Sequence, residues 1–391
     1  MGVLFLAAAV VLSLLAMWVL SYLFMLVFGK TQVITTDKDI ERVIREETFI
    51  PSPFSVTPIP ALSAFLPTTR ALGRKKTAFR PYRELITIPD GSSVLGGTVG
   101  LDWFDRKSKE DTSTICPADE TPIVFVCHGV NGGSAEPYVH FLCLRARKQG
   151  WRPVCFVMRG CAGLKLTTCM TYNGAMTGDL HEALTVVCQR YPKAPVHIVG
   201  YSFGSAIVAN YLGEQNAAVH PKIPQNHWPA AVPAQVVGAM LIGVPFNFIT
   251  SCTTMHPFYD ANILKGLKFY YNKHKAILST RVPPEQIEKA KKCEKFDDAA
   301  TSRLQGYPNA MEYYHEVSCS RYLDGVRVPT VFCNTRNDPI SVPAALPDPA
   351  AIKANPALTL VTTGTGGHLG WFVARPNAPT WDENLAIRCG C

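Results

Sequence analysis

Hydrophobic residues fall along this chain in three regimes, each predicting a different kind of element. From Val3 to Phe28 the sequence is almost wholly apolar, interrupted only by Ser13 and Ser21. A helix rises about 1.5 Å per residue and needs about 20 apolar residues to cross a bilayer's hydrocarbon core, so residues 1–30 predict a transmembrane anchor. Residues 31–80 are punctuated by Pro51, Pro53, Pro58, Pro60 and Pro67 and read as a linker or a strap lying on the domain. Beyond them, Glu84 to Asp105 reads as a hairpin with Asp90-Gly91 between its strand-like runs. Short apolar runs near 122–128, 153–158, 195–201, 236–244, 329–335 and 358–363 then alternate with helical stretches. That alternation predicts one α/β domain over residues 81–391, built on a mostly parallel, doubly wound sheet. An excursion at about 247–325 is too long for a simple crossover. Within it Ile263, Leu264, Leu267, Tyr270, Tyr271, Ile277 and Leu278 fall on one helical face, with Lys265, Lys268, Lys273 and Lys275 elsewhere around it. This is a helix packed on the sheet domain, or one that also touches lipid and shapes an acyl tunnel.

Chemistry enters at Gly200-Tyr201-Ser202-Phe203-Gly204, which follows the apolar run 195–199 and opens the helical stretch 205–212. A G-x-S-x-G sequence between strand and helix is a tight turn in which glycine-sized neighbours leave the serine hydroxyl exposed, so Ser202 is the candidate nucleophile. A serine hydroxyl needs an imidazole as base, and the imidazole needs a carboxylate to hold its tautomer. Both follow later strands in the expected order. Asp338 lies just after the run 329–334, and His368 lies in Gly364-Thr-Gly-Gly-His-Leu-Gly370 after the run 358–362. An oxyanion would be held by the N–H of Phe203 and by a donor from His128-Gly129-Val130-Asn131-Gly132-Gly133, for which Val130 is the candidate, with Gly129 in reserve. Asp298 and Asp348 are rival acids, discounted because neither directly follows a sheet strand. His128 and His197 read as structural histidines, Tyr201 as a packing residue, and Arg159 as a residue that fixes a loop at the mouth of the site.

Several landmarks together resemble a known family. They are His128-Gly-Val130 with Gly132 and Ser134, Arg159-Gly-Cys-Ala-Gly-Leu164, the pentapeptide with Asn210-Tyr-Leu-Gly-Glu214, Lys295-Phe-Asp-Asp298, Asn337-Asp-Pro339 and Gly366-Gly-His-Leu-Gly370. Over roughly residues 80–375 the chain resembles the membrane-anchored α/β-hydrolases, a group containing yeast medium-chain fatty-acid ethyl ester synthases, mammalian abhydrolase-domain phospholipases and bacterial YheT-type esterases. The resemblance implies the α/β-hydrolase fold with a helical cap insertion at the excursion over 247–325. The chain departs from the family pattern at Ser205, where a second glycine is usual, and at Asn337, where an Asp-Asp pair is usual. The latter leaves Asp338 as the one carboxylate of that loop.

Composition narrows the classes. With 391 residues, 47% of them hydrophobic and 17% charged, the chain can bury a full-sized core. Its net charge of +8 is spread out, without basic runs or aromatic-basic interleaving, which speaks against nucleic acid and for a bilayer as partner. The apolar N-terminal stretch lacks a basic n-region and a small-residue cleavage site, so an anchor is expected rather than a cleaved signal peptide. No Lys or Arg precedes it, while Lys30, Lys38, Arg42 and Arg45 follow, which predicts a domain on the cytosolic side. The 13 cysteines are odd in number and scattered through the predicted elements, and the chain has no N-x-[ST] sequon, consistent with a reducing compartment. They include no C-x-x-C pair, and neither a metal nor a cofactor is expected. Cys389 and Cys391 read as part of a frayed tail rather than a lipidation site.

These expectations combine into a membrane-anchored serine hydrolase acting on carboxylic esters of lipids, with Ser202, His368 and Asp338 as the triad. Three alternatives stand beside it: an acyltransferase using the same triad, a peptidase or thioesterase for soluble substrates, and a catalytically silent scaffold. No H-x-x-x-x-D sequence follows any of the ten histidines, so transfer would have to use the triad.

Overall fold

The computed structural model describes residues 2–47, 49–53, 56, 60–74, 78–90, 96–105, 119–219, 231–373 and 379–389. Gly91 of the predicted hairpin and Cys391 of the tail lie outside these residues. Nine strands form one sheet: β1 (Gln32–Ile34), β2 (Tyr82–Ile88), β3 (Gly97–Trp103), β4 (Ile123–Cys127), β5 (Arg152–Val157), β6 (Val196–Tyr201), β7 (Val236–Ile242), β8 (Thr330–Thr335) and β9 (Leu358–Thr363). Their spatial order is β1-β9-β8-β7-β6-β4-β5-β3-β2. The six strands from β5 to β9 in this order run parallel, and antiparallel pairs finish both edges: β1 on β9, and β3 on β5 with β2 outside it.

The continuous apolar runs have a physical origin in this arrangement. Parallel strands need crossovers, crossovers cover both sheet faces, and every residue of β4, β5, β8 and β9 is buried in consequence. The helices before β7 are α1 (Gly2–Phe28), α2 (Lys38–Glu46), α3 (Pro60–Gly73), α4 (Pro137–Lys148), α5 (Thr177–Arg190) and α6 (Phe203–Gly213), of which α4, α5 and α6 are the crossovers. None of the 18 residues Ala9–Leu26 of α1 is buried.

Between β7 and β8 the excursion folds into seven short helices: α7 (Phe248–Thr254), α8 (Pro257–Lys273), α9 (Lys275–Leu278), α10 (Pro284–Lys289), α11 (Cys293–Ala299), α12 (Thr301–Gln305) and α13 (Ala310–Val317). The apolar face of α8 turns inward, with Leu264, Tyr270 and Tyr271 buried, while Phe258 and Phe269 stay exposed. After β8 come α14 (Pro349–Ala354) and the C-terminal α15 (Trp381–Cys389).

Residues 31–80 do more than the strap reading describes, since β1 extends the sheet edge and α2 and α3 pack on the domain. Asp37 caps α2 by accepting from the Asp39 and Ile40 N–H groups at 2.9 and 3.0 Å. Pro60 opens a helix instead of ending one, the position where its missing N–H is harmless.

The strand order reverses at β4: the chain runs from β4 outward to β5, then returns to place β6 on β4's other side. The crevice at the C-terminal ends of β4 and β6 is the topological switch point, where open α/β sheets place their ligands.

Candidate active site

Ser202 sits at that crevice, between the last residue of β6 and the first of α6. Its backbone is held at φ 51° and ψ −120°, a conformation an L-residue rarely adopts, and its N–H is fixed to the Ile242 carbonyl at 2.8 Å. The flanking glycines permit this turn. A Cβ on Gly200 would come within 2.7 Å of the Ser205 Cα, and one on Gly204 would overlap the His128 carbonyl oxygen. The sharp turn raises the hydroxyl above the sheet.

The Ser202 Oγ lies 2.8 Å from His368 Nε2, and His368 Nδ1 lies 2.8 Å from Asp338 Oδ2. The other carboxylate oxygen, Oδ1, accepts from the Ile340 and Ser341 N–H groups at 2.8 and 2.9 Å. One oxygen therefore fixes the loop and the other faces the imidazole. Asp338 and His368 are both buried. With the Nδ1 proton directed at Asp338, Nε2 is left as an acceptor for the serine proton.

Beside Ser202 the first N–H groups of α6 have no intrahelical acceptor and carry the positive end of the helix dipole, which leaves the Phe203 N–H for an anion. Val130 lines the same cavity as Ser202 and Phe203. Gly129 is engaged elsewhere, its N–H donating to the Tyr138 hydroxyl at 3.2 Å. The cavity opens to solvent and runs from Ser202 into the helical insertion. Among the described residues no three His, Cys, Asp or Glu side chains gather as a metal ligand set.

The rival acids lie away from this cluster. Asp298 accepts from the Ala310 N–H at 2.7 Å, at the start of α13, and Asp348 caps α14 through the Ala350 N–H at 2.7 Å. Arg159 is buried in a two-pronged pair with Asp179 at 2.6 and 2.7 Å. Its carbonyl accepts from the Tyr270 hydroxyl at 2.9 Å, and that of Gly160 accepts from Lys273 Nζ at 3.0 Å, so this loop anchors the insertion. Tyr201 packs its ring against Tyr138 at 4.8 Å, and His197 stacks on Trp151 at 6.1 Å.

His128 is fully buried under the oxyanion loop. Its Nδ1 donates to the Gly129 carbonyl at 2.7 Å, and its Nε2 accepts from the Met158 N–H at 3.2 Å, which needs the neutral ring. Burial holds its pKa down to about 4, against an ordinary 6.5. As pH falls below 6.5 the unfolded chain takes up a proton that the folded chain refuses. The stabilisation is therefore complete above 6.5 and is lost as pH falls toward 4, by about 3 kcal/mol. Urea unfolding between pH 7 and pH 4.5 should show a steeper loss of stability for the native chain than for His128→Gln. Equal slopes would contradict this role.

One contact had no signal in the sequence. The His368 N–H donates to Thr68 Oγ1 at 2.8 Å, so α3 crosses the histidine loop and fixes its backbone.

Comparison with known proteins agrees with this arrangement. The alpha/beta hydrolase fold family matches residues 122–222. The embryogenesis-associated protein EMB8 of Picea glauca is 31% identical, the alignment covering 80% of this chain and 66% of that protein. Phospholipase ABHD3 of Homo sapiens is 30% identical, covering 77% of this chain and 71% of that one. The chain belongs to the α/β-hydrolase family. A monoacylglycerol lipase of Saccharomyces cerevisiae is also similar, 29% identical over 68% of this chain and 58% of its own length. Within the α/β-hydrolase frame, the two departures have local consequences. Ser205 is buried and donates its hydroxyl to the Ser202 carbonyl. Asn337 donates to the Ser63 carbonyl at 3.0 Å and to Thr365 Oγ1 at 3.2 Å, and accepts from the Gly367 N–H at 2.9 Å, clipping the acid loop, the histidine loop and α3 together. A carboxylate at 337 could not make the two donations.

Proposed function

We propose that this chain is a membrane-anchored serine hydrolase that cleaves carboxylic esters of lipids through an acyl-enzyme. The observation that carries the reading is the hydrogen-bonded series Ser202–His368–Asp338 at the mouth of a largely apolar cavity. Ser202 Oγ attacks the ester carbonyl while His368 Nε2 takes its proton, and the carbonyl oxygen becomes an oxyanion facing the Phe203 and Val130 N–H groups. As the carbon–oxygen bond to the alcohol breaks, His368 returns the proton to the leaving oxygen. Asp338 stabilises the imidazolium in between. Water, deprotonated by the same imidazole, then releases the acid from Ser202.

Three features support a lipid substrate held at a bilayer. The relatives include proteins named as a phospholipase and a monoacylglycerol lipase. The cavity is lined by side chains such as Phe248, Ile263, Leu267 and Leu278. Helix α1 is long and apolar, and its end is tied close to the triad: the Gly29 carbonyl accepts from the Gly364 N–H at 3.2 Å, and that of Lys30 accepts from Arg336 at 3.1 Å. Gly364 opens the histidine loop and Arg336 the acid loop, so the anchor would bring the bilayer to the end of the sheet where Ser202 lies. Lys30, Lys38, Arg42 and Arg45 just beyond α1 support a cytosolic domain.

Deleting residues 1–28, which leaves the Gly29 and Lys30 contacts in place, tests the anchor. The truncated protein is expected to keep its turnover of dispersed short-chain esters and to lose about 100-fold on phospholipid or acylglycerol in vesicles, because tethering raises local substrate concentration without changing the chemistry. Both substrates are measured side by side in one detergent-free buffer. Equal loss on both would assign the segment to folding, and no loss on vesicles would remove the anchor from the account. Finding residues 1–30 absent from the mature protein by mass spectrometry would make the segment a signal sequence.

A further inference from the structure

The cavity that begins at Ser202 is walled by aromatic and aliphatic side chains, with one carboxyl among its described lining residues, that of Asp297 in α11. No Lys, Arg or His is among those described lining residues. The Phe203 ring stands 6.0 Å from that of Phe248, the Phe248 ring 6.4 Å from that of Tyr314, and the Tyr314 hydroxyl donates to Asp297 Oδ2 at 2.7 Å. Two aromatic rings thus separate the carboxyl from the residue beside Ser202. Its Oδ1 accepts from Thr301 Oγ1 at 2.5 Å, which leaves about half of a carboxylate's lone pairs without a donor.

A carboxyl in this position conflicts with its surroundings. Burial lifts its pKa to about 6, only partly opposed by the Thr301 and Tyr314 hydrogen bonds, and Asp298 and Asp260 add like charge nearby. The carboxylate joins α11 to α12 and α13 by giving one oxygen to the Thr301 hydroxyl and the other to the Tyr314 hydroxyl. Each oxygen keeps a lone pair that calls for water or a donor in the wall of an otherwise largely apolar cavity. A straight acyl chain whose terminal methyl reaches Asp297 strips that hydration and returns no hydrogen bond. A shorter chain lies against Phe248, Ile263 and Leu267 and leaves the hydration in place.

We propose that Asp297 is the polar end-stop of the acyl subsite and sets the longest saturated chain that the site accepts. The proposal rests on the reading that Ser202 cleaves esters whose acyl group enters this cavity. It makes Asp297 a specificity-determining residue outside the triad, selecting fatty acyl esters by length and not by head group. The discrimination expected of one stripped carboxylate is about 10- to 100-fold between chains that stop short of it and chains that reach it.

The test is kcat/KM of the full-length enzyme on p-nitrophenyl esters of straight saturated acids, from butanoate to palmitate, for the native chain, Asp297→Leu and Asp297→Asn. The rate of Ser202 labelling by a small fluorophosphonate reports a folded site in each. The palmitate-to-butanoate ratio of kcat/KM is expected to rise about tenfold or more in Asp297→Leu, with the preferred length moving to longer chains, chiefly through KM. Asp297→Asn, which keeps the shape and removes the charge, should move in the same direction by a smaller step. A general loss of stability would lower all esters together and leave the ratio alone. An unchanged length profile in a variant that still labels would overturn the end-stop while leaving the hydrolase reading intact. If the leucine variant does not fold, the asparagine profile decides in the same way. Failure of the native chain to turn over any ester would instead sink the proposed function.

Discussion

Replacing Ser202 with alanine is expected to abolish fluorophosphonate labelling and to lower ester turnover by about 10⁶-fold, the loss typical when a triad nucleophile is removed. The size follows from geometry. Ser202 Oγ is 2.8 Å from the Nε2 of His368 and is raised by a backbone at φ 51°, so no neighbouring hydroxyl has the same base at hand. Ser205 is the nearest alternative in sequence, but it is fully buried with its hydroxyl donated to the Ser202 carbonyl. Because alanine keeps the turn's packing, its unfolding transition should match that of the native chain. Labelling retained at the native rate would move the nucleophile elsewhere.

Asparagine at position 338 should lower turnover by about 10⁴-fold with little change in KM. The amide can still accept from the Ile340 and Ser341 N–H groups, so the loop keeps its shape. Its nitrogen facing His368 Nδ1 would favour the wrong tautomer, with the proton on Nε2 and no acceptor left for the serine. Asp298→Asn and Asp348→Asn make the comparison sharp. Each of those carboxylates receives a backbone N–H at a helix start, a bond the amide oxygen can keep, so both variants should stay near native stability and leave the chemistry alone. A crippling effect of Asp348→Asn on turnover, with Asp338→Asn near native, would place the acid in the wrong loop.

The legible parts of this fold are those whose cause is local. Strands β4, β8 and β9 are buried on both faces, so Ile123–Cys127 and its parallel neighbours read as unbroken apolar runs. Ser202, Asp338 and His368 stand out as candidates because each sits on a loop just after such a run, and the fold brings them within hydrogen-bond reach of one another. The segment 31–80 was opaque for the opposite reason. Three residues of β1 are too few to show a period, and they become a strand only by pairing with Leu360–Thr362 of β9. In α3 the face turned to the domain carries Pro67 and Thr68, which look like breakers rather than core, and the contact from Thr68 to His368 spans 300 residues. Asn337 was visible only as a departure from a pattern. Its part in joining three segments depends on partners that sequence spacing does not bring together.

A covalent intermediate at Ser202 is the most direct consequence of this chemistry. Full-length enzyme mixed with vesicles containing a phospholipid or an acylglycerol, quenched in acid within the first turnover and digested, should yield the peptide spanning Ser202 with the mass of one added acyl group. The same peptide from Ser202→Ala should carry none. An acyl adduct on any other residue, or lipid cleavage at the native rate with no adduct at any time before steady state, would contradict the account.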